Sequence, residues 1–207
     1  MAKPFLTDEA KRALTDSVRD VEAVTSAELV VAVRARSGSY LHADLTAGIL
    51  AGLLALAVLL FSHWEFGLVW FVIDPLLAGL LAGWISSWAP GIRRALTGPA
   101  DRRRQVETAA RALFVEKRVH NTRGRTGMLL YISLLEREAV IVPDVGLEAL
   151  AATEPWKQAV AALESAVHQK EDGVQVAQKI RSLGPVLSPA LPRAADDVDE
   201  LANEVCE

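Results

Sequence analysis

The sequence predicts an α/β domain, a three-layer sandwich with a small sheet, interrupted by a two-helix transmembrane hairpin. Helical and strand patterns alternate along most of the 207 residues, which is typical of helices packed on a sheet. Charged residues make up 23% of the chain, yet between Asp44 and Arg93 only Glu65 and Asp74 are charged. This stretch is long enough for two membrane crossings, whereas its flanks have the composition of a water-soluble domain.

The residues before the apolar stretch predict one helix and one strand. Thr7 is the expected N-cap of the helix, because acidic residues follow it directly. The apolar face of this helix repeats at helical spacing and comprises Ala10, Leu14, Val18 and Val21. Residues 27–35 are rich in β-branched side chains and predict a strand, which the polar residues 37–39 end.

The apolar stretch predicts two membrane helices, at about residues 45–63 and 66–88, within a hairpin of residues 45–90. At about 1.5 Å per residue the first helix covers roughly 28 Å, close to the ~30 Å hydrocarbon core. Tryptophans are expected at the two membrane interfaces, and here they fall at the two ends of the hairpin: Trp64 and Trp70, then Trp84 and Trp88.

The distribution of arginine predicts the orientation of the hairpin. Arg34 and Arg36 precede it, the connection at residues 62–65 has no Lys or Arg, and five arginines follow it: Arg93, Arg94, Arg102, Arg103 and Arg104. By the positive-inside rule both termini and the soluble domain face the cytoplasm, in a multi-pass protein of the cell (inner) membrane. The five arginines are also expected to bind anionic lipid headgroups.

Small residues predict how the two helices pack. Each helix has a pair of glycines at spacing four, and in an antiparallel hairpin the pairs fall at similar depths: Gly48 and Gly52, Gly79 and Gly83. Glycine allows close backbone approach, so these residues are expected to form the helix–helix contact. A homodimer contact through the same glycines is the alternative.

Asp74 is an acid inside the second apolar segment, where ionisable groups usually have a function. Transport through the membrane is one interpretation. The favoured interpretation is structural: Asp74 caps a shorter second helix, with Pro75 at its first position.

After the hairpin, the chain predicts a helix, two strands and further helices. Asp101 is the expected cap of a helix that runs to about His120, with an apolar face of Val106, Ala110, Leu113 and Phe114. Residues 128–134 are almost entirely apolar, as in a central strand covered on both faces, and residues 138–142 predict the next strand.

The last part of the chain predicts two helices and a tail. Thr153 is the expected cap of a helix with core residues Trp156, Val160, Leu163 and Val167. Asp172 and Gly173 separate it from a helix ending near Leu183. The soluble domain is therefore discontinuous, residues 1–44 plus 91–190, and residues 191–207 form an acidic tail.

Several motifs resemble the TPM-domain family, in particular its bacterial membrane proteins that carry a hairpin after the first strand. The matching segments are a first strand at residues 25–31, a second strand at 127–130, a glycine turn at 146–148 and a late acidic motif at 171–174. The resemblance implies the same small-sheet sandwich and extends over nearly all of the soluble sequence.

The resemblance also implies two activities, since some TPM domains are described as acid phosphatases and some bind calcium or another divalent ion. Of the acids near the corresponding turns, this chain keeps Asp144 and Glu148, while Arg125 and Thr126 stand where relatives often carry Asp or Asn. A hard dication needs about six oxygen ligands, so these two acids beside basic residues make a poor site.

The expected function is a non-catalytic, membrane-anchored module that helps to assemble or maintain other membrane proteins. Its expected partners are the bilayer, a membrane protein and a second copy through the membrane helices, and no cofactor is assigned. The net charge of −4 excludes nucleic acid as an expected partner. The alternatives are a phosphatase dependent on a divalent ion at Asp144 and Glu148, and a small transport component using Asp74.

Overall fold

The structure, a computed structural model, describes residues 5–193, 201, 205 and 206. Its Cα atoms form two units, residues 1–37 with 103–207 and residues 38–102. We call them the sheet unit and the hairpin unit. The boundaries lie several residues outside those expected for the hairpin, because the segment after the second apolar helix packs on the hairpin helices.

Most of the expected acidic tail, residues 191–207, lies outside the described residues.

In chain order, the helices and strands are α1 (Asp8–Glu22), β1 (Glu28–Arg34), α2 (Leu41–Phe61), α3 (Trp70–Trp88), α4 (Pro90–Leu96), α5 (Pro99–Glu116), β2 (Gly127–Ser133), β3 (Glu138–Pro143), α6 (Glu148–Ala151), α7 (Glu154–His168), α8 (Gly173–Arg181) and α9 (Gly184–Leu187). A single 3₁₀ turn, Val145–Leu147, lies between β3 and α6.

The described strands form one mixed sheet in the order β1-β2-β3. β1 pairs with β2 in parallel, and the register runs from Glu28 opposite Gly127 to Arg34 opposite Ser133. β3 pairs with β2 antiparallel. Every residue of β2 is buried, as its apolar sequence predicts for a central strand. Since β1 precedes the hairpin unit and β2 follows it, the sheet joins chain from both sides of that unit.

Helices cover both faces of the sheet. One face of β1 and β2 packs on residues from α1, α7, α8 and α9. The predicted apolar face of α1 is confirmed, since Leu14, Val18 and Val21 lie in this cluster and Ala10 is buried as well. The opposite face packs on α5 through Val106, Ala110 and Leu113. Burying a Val or Leu side chain stabilises a fold by about 1.5–3 kcal/mol, so these two clusters hold the three layers together.

The helix ends agree with the sequence at some positions and differ at others. The Oγ1 of Thr7 accepts a hydrogen bond from the Ala10 N–H at 3.1 Å, which confirms the predicted cap. The prediction that Asp101 caps α5 is wrong, since the helix begins at Pro99, whose fixed φ suits a first helical position. α5 also ends at Glu116 rather than near His120, because Arg118 adopts φ 53° and reverses the chain.

Glu136 is a buried acid in the connection between β2 and β3, with 1% of its surface exposed. Its carboxylate accepts hydrogen bonds from the Ser37 N–H at 2.9 Å and from the Ser133 hydroxyl. The Ser37 hydroxyl in turn donates to Ser133 Oγ at 2.7 Å. Ser37 is the last residue of the sheet unit before the hairpin unit, so this network fixes the point at which the chain leaves the sheet.

Lys170 follows α7 in the left-handed conformation, with φ 64°, at a position that glycine usually occupies. The Glu171 N–H donates to Ala166 O and the Lys170 N–H to Val167 O, as in a Schellman motif. We expect Lys170→Gly to stabilise the sheet unit by about 1 kcal/mol or less, because glycine has no Cβ to strain this conformation. Thermal denaturation should show a higher Tm for Lys170→Gly and an almost unchanged Tm for Lys170→Ala.

Candidate functional site

The hairpin unit contains two helices that are long and apolar enough to cross a membrane, α2 and α3. In each of them only 6% of the most apolar 18-residue window is buried. Large apolar side chains therefore cover their surfaces, with Leu54 68% exposed and Val72 68% exposed. A face of this size is typical of a protein that meets lipid or another protein. The second helix begins at Trp70, four residues later than expected.

The four predicted glycines lie between α2 and α3, where backbone meets backbone. A Cβ on Gly48 would lie 2.8 Å from Gly79 O, and one on Gly79 would lie 3.0 Å from Gly48 O. A Cβ on Gly83 would lie 3.2 Å from Asp44 O, and one on Gly52 would lie 3.0 Å from Pro75 O. These pairs describe two antiparallel helices whose axes approach closely because the glycines have no side chains.

Asp74 lies inside α3 rather than at its start, so the interpretation of Asp74 as the cap of this helix is wrong. α3 begins at Trp70, and Pro75 lies inside the helix, where it lacks the N–H that would donate to Phe71 O. Asp74 is four residues from Trp70, which places it roughly 6 Å along the axis from that end. A carboxylate so close to the end of a helix can reach water beyond that end.

A polar cluster lies at the other end of the hairpin, where α2 begins and α3 ends. The Arg93 side chain, from α4, donates two hydrogen bonds to the Asp44 carboxylate, from Nε at 3.0 Å and from Nη2 at 2.6 Å. The Ser86 hydroxyl, from α3, donates to the same carboxylate at 2.8 Å. The Arg93 and Asp44 side chains are only 13% and 14% exposed. This two-bond geometry is the strongest form of an arginine–carboxylate contact.

The sequence did not reveal this cluster, because the first helix was expected to begin after Asp44. α2 begins at Leu41, so Asp44 belongs to its first turn, where a carboxylate interacts favourably with the helix dipole. Asp44 is the last acid before the apolar stretch and Arg93 is the first base after it. In an antiparallel hairpin such residues fall at the same end, and this pattern was the available signal.

Protein contacts hold at least three of the five arginines predicted to bind lipid. Arg93 is held by Asp44, and Arg102 donates to the carbonyl oxygens of Arg94 and Thr97 at 2.7 and 2.9 Å. Arg103 contacts three acids at 2.8 to 3.5 Å: Glu107, Glu138 and Glu164. Because these three side chains stabilise the fold, the exposed Arg104 is the better candidate for headgroup contact.

Asp144, one of the two expected metal ligands, has an arginine as its partner. The Arg125 Nε and Nη2 atoms lie 2.7 and 2.9 Å from the two carboxylate oxygens of Asp144. One of these oxygens also accepts the Val145 N–H at 2.8 Å and so caps the 3₁₀ turn. Glu148 is exposed at the start of α6. Within the described part of the chain, no three His, Cys, Asp or Glu side chains cluster as metal ligands would.

The charge on Asp144 should make the stability of the sheet unit depend on pH. Burial opposes ionisation of this carboxyl, but hydrogen bonds from Arg125 and the Val145 N–H outweigh it and lower its pKa. A lowered pKa stabilises the folded state above the unfolded value of about 4, and this contribution is lost as pH falls through the folded pKa. We expect Asp144→Asn to lower the Tm at pH 7.

The matched measurement is the Tm of both proteins between pH 7 and pH 2. The difference in Tm between wild type and Asp144→Asn should become smaller below pH 4, because the wild-type carboxylate becomes protonated there. Asparagine keeps a side-chain acceptor for the Val145 N–H, so the variant isolates the charge rather than the cap. A difference that stays constant from pH 7 to pH 2 would show that this ion pair does not stabilise the fold.

The glycines of the sequence motifs lie where backbone segments meet. A Cβ on Gly127 would lie 2.1 Å from Val119 O, and one on Gly146 would lie 2.6 Å from Arg125 O. A Cβ on Gly173 would lie 2.7 Å from the Ala10 Cβ. Real Cβ atoms do not approach other atoms so closely, so these motif positions are explained by packing alone.

Comparison with known proteins identifies a fold but no family. No protein-family model matches the chain, and no curated protein matches it. The NMR structure of the BA42 protein from the psychrophilic bacterium Bizionia argentinensis is similar, with a TM-score of 0.60 and 19% sequence identity. The similarity covers 100% of this chain and 97% of that protein. At this identity the chain is shown to share an overall fold with BA42, and nothing further is carried over from it.

Proposed function

We propose that this protein is anchored in the cell (inner) membrane by α2 and α3, with both termini and the sheet unit in the cytoplasm. The lengths of 21 and 19 residues support this assignment, since they correspond to roughly 31 and 28 Å of helix. The observation that carries the proposal is the exposure of nearly every large apolar side chain of both helices. Exposing such an apolar surface to water is very unfavourable in free energy, whereas contact with lipid tails is not.

The positions of the polar groups support the same arrangement. Asp44 and Arg93 neutralise each other at one end of the hairpin, and Asp74 lies near the other end. The segment between these ends carries no other charge in either helix. The connection at residues 62–69 has no Lys or Arg, whereas α4 and α5 carry several. The positive-inside rule therefore favours a cytoplasmic location for the end with Asp44 and Arg93.

Labelling in whole cells tests this topology. Glu65→Cys in a Cys206→Ser background should react with a membrane-impermeant maleimide added outside intact cells, because residue 65 lies in the outer connection. Ala100→Cys in the same background is the matched control and should react only after the cells are opened. Reaction of both positions from outside, or release of the intact protein by alkaline carbonate, would contradict the proposed anchoring.

For the sheet unit we propose a TPM-like, non-catalytic role in assembling or maintaining other membrane proteins. The arginine contact to Asp144 supports it, since this possible metal ligand instead binds Arg125 and caps a 3₁₀ turn. The motif glycines support it as well, because each one allows a backbone contact of the fold. A domain held beside the membrane surface by a hairpin would meet membrane proteins at a high effective concentration.

Photo-crosslinking in native membranes tests this role. A crosslinker at the exposed Glu148 should capture an integral membrane protein, and the abundance of that protein should fall in cells that lack this chain. Asp144→Asn should restore the abundance as well as wild type does at a temperature at which it is folded. Failure of folded Asp144→Asn to restore it, together with phosphatase activity in the wild type only, would replace our proposal with the phosphatase.

A further inference from the structure

β1 is an edge strand among the described residues, and one side of its backbone is only partly paired. β2 occupies one side, and the backbone N–H and C=O groups of alternate residues point to the other. Of these, the Leu29 N–H donates to the Glu22 carboxylate at 3.0 Å. An open edge of this kind is a template for adding another strand.

A short segment near residue 206 lies on this edge in the manner of a strand. The Cys206 N–H donates to Val31 O at 2.9 Å, and the Val33 N–H donates to Cys206 O at 2.9 Å, which makes a parallel bridge. Val205 packs against the cluster on the α1 side of the sheet, and Cys206 packs against the cluster on the α5 side. Neighbouring side chains on opposite faces are the signature of an added strand.

A cavity of about 400 Å³ lies at the carboxyl end of β1, in the direction that a parallel strand would follow. Its walls are Leu6, Val33, Arg34, Ala35, Arg36 and Leu134. Within the described part of the chain, the Arg34 and Arg36 side chains have no hydrogen bond or ion pair. The cavity therefore combines apolar walls with two guanidinium groups, which suits an apolar side chain followed by a carboxylate.

We propose that the edge of β1 is a strand-addition site for an extended segment of another protein, and that the chain at Val205 and Cys206 occupies it in cis. The segment in trans would pair in parallel, place small apolar side chains alternately on both faces, and bring a carboxylate to Arg34 and Arg36. Binding in trans then competes with Val205 and Cys206, so that their release exposes the site. The proposal does not depend on the role proposed above, because it concerns peptide binding alone.

The test is peptide binding to the full chain in neutral detergent and to a variant that lacks residues 201–207. The probe is a fluorescent peptide, Leu-Ala-Asn-Glu-Val-Cys-Glu, with the sequence of residues 201–207. We expect the shortened variant to bind it at least about tenfold more tightly than the full chain, since no cis segment competes. Amide exchange should show that Val33 loses protection in the shortened variant and regains it with the peptide.

Two N-methylated peptides form the matched control. Methylation at the position of Cys206 removes the N–H that bonds Val31 O and should weaken binding about tenfold or more. Methylation at the position of Val205 removes an N–H that points away from β1 and should have little effect. Persistent protection of the Leu129 and Leu130 amides shows that the sheet itself is intact in each protein.

The arginines are tested by the double variant Arg34→Gln with Arg36→Gln, which should weaken peptide binding several-fold, most at low salt. Phosphatidylglycerol added to the micelles should not displace the peptide. The proposal is overturned if the shortened variant with an intact sheet does not bind the peptide, or if both methylated peptides bind equally. Displacement by phosphatidylglycerol would instead make this end of β1 a lipid site.

Discussion

Gly127→Ala is expected to destabilise the sheet unit by about 3 kcal/mol or more, the largest effect of a single methyl group in this chain. A Cβ at this position would lie 2.1 Å from Val119 O and 3.0 Å from Val119 Cγ1. Neither segment can move freely, because the Val119 N–H donates to Phe114 O and Gly127 O accepts from the Asp144 N–H. The clash therefore disrupts the start of β2, the central strand.

Urea denaturation followed by amide exchange of β2 measures this effect. Gly146→Ala should behave similarly, because its Cβ would lie 2.6 Å from both Arg125 O and Gly124 O. Gly91→Ala is the matched control, since no atom lies within 4 Å of a Cβ at that position. Equal stability of Gly127→Ala and Gly91→Ala would show that Val119 and Gly127 do not approach each other as described.

Gly48→Val is expected to separate α2 from α3 and to produce the second largest effect. Even the Cβ would lie 2.8 Å from Gly79 O, and valine adds two further methyl groups against the backbone of the opposite helix. Overpacking of this kind usually costs about 1–3 kcal/mol, and here a rigid helix backbone leaves little room for relaxation. Separation should also break the contact of Arg93 with Asp44, because these residues come from different helices.

Amide exchange of α2 and α3 in detergent micelles, together with the Tm, measures the loss of packing. Gly67→Val is the matched control, since the nearest atom to its Cβ is Trp70 Cδ1 at 3.8 Å. Gly48→Val should lower the Tm and the protection of both helices, and Gly67→Val should leave both nearly unchanged. If Gly48→Val only dissociates a dimer and leaves the protection within one chain intact, the glycines serve the contact between two copies.

The elements of the sheet unit were largely predictable because their signals are local. The cap at Thr7, the helical spacing of the α1 face and the wholly apolar run of β2 each depend on residues close in sequence. The errors at α5 and α3 concern ends, where Pro99 and Trp70 rather than a nearby acid begin the helix. Propensity alone does not decide between such adjacent starting points.

The polar contacts were predictable only in part. Glu136 falls between two predicted strands, yet its side chain is buried and accepts a hydrogen bond from the N–H of Ser37, which lies 99 residues away. The family resemblance implies Asp144 as a metal ligand, yet Arg125, 19 residues away, donates to both of its oxygens. Cys206 falls in the predicted acidic tail, yet it pairs with β1. In each case the partner is distant in the chain, so no local pattern identifies it.

The sequence by itself determined two long apolar helices and an α/β domain divided around them, because hydropathy and periodicity are properties of neighbouring residues. Only the tertiary structure decided which charges meet. Asp44 pairs with Arg93 across 49 residues because the glycines let two antiparallel helices bring their ends together. Side chains with several possible partners are assigned by the geometry of the folded backbone, and that geometry depends on all of the packing at once.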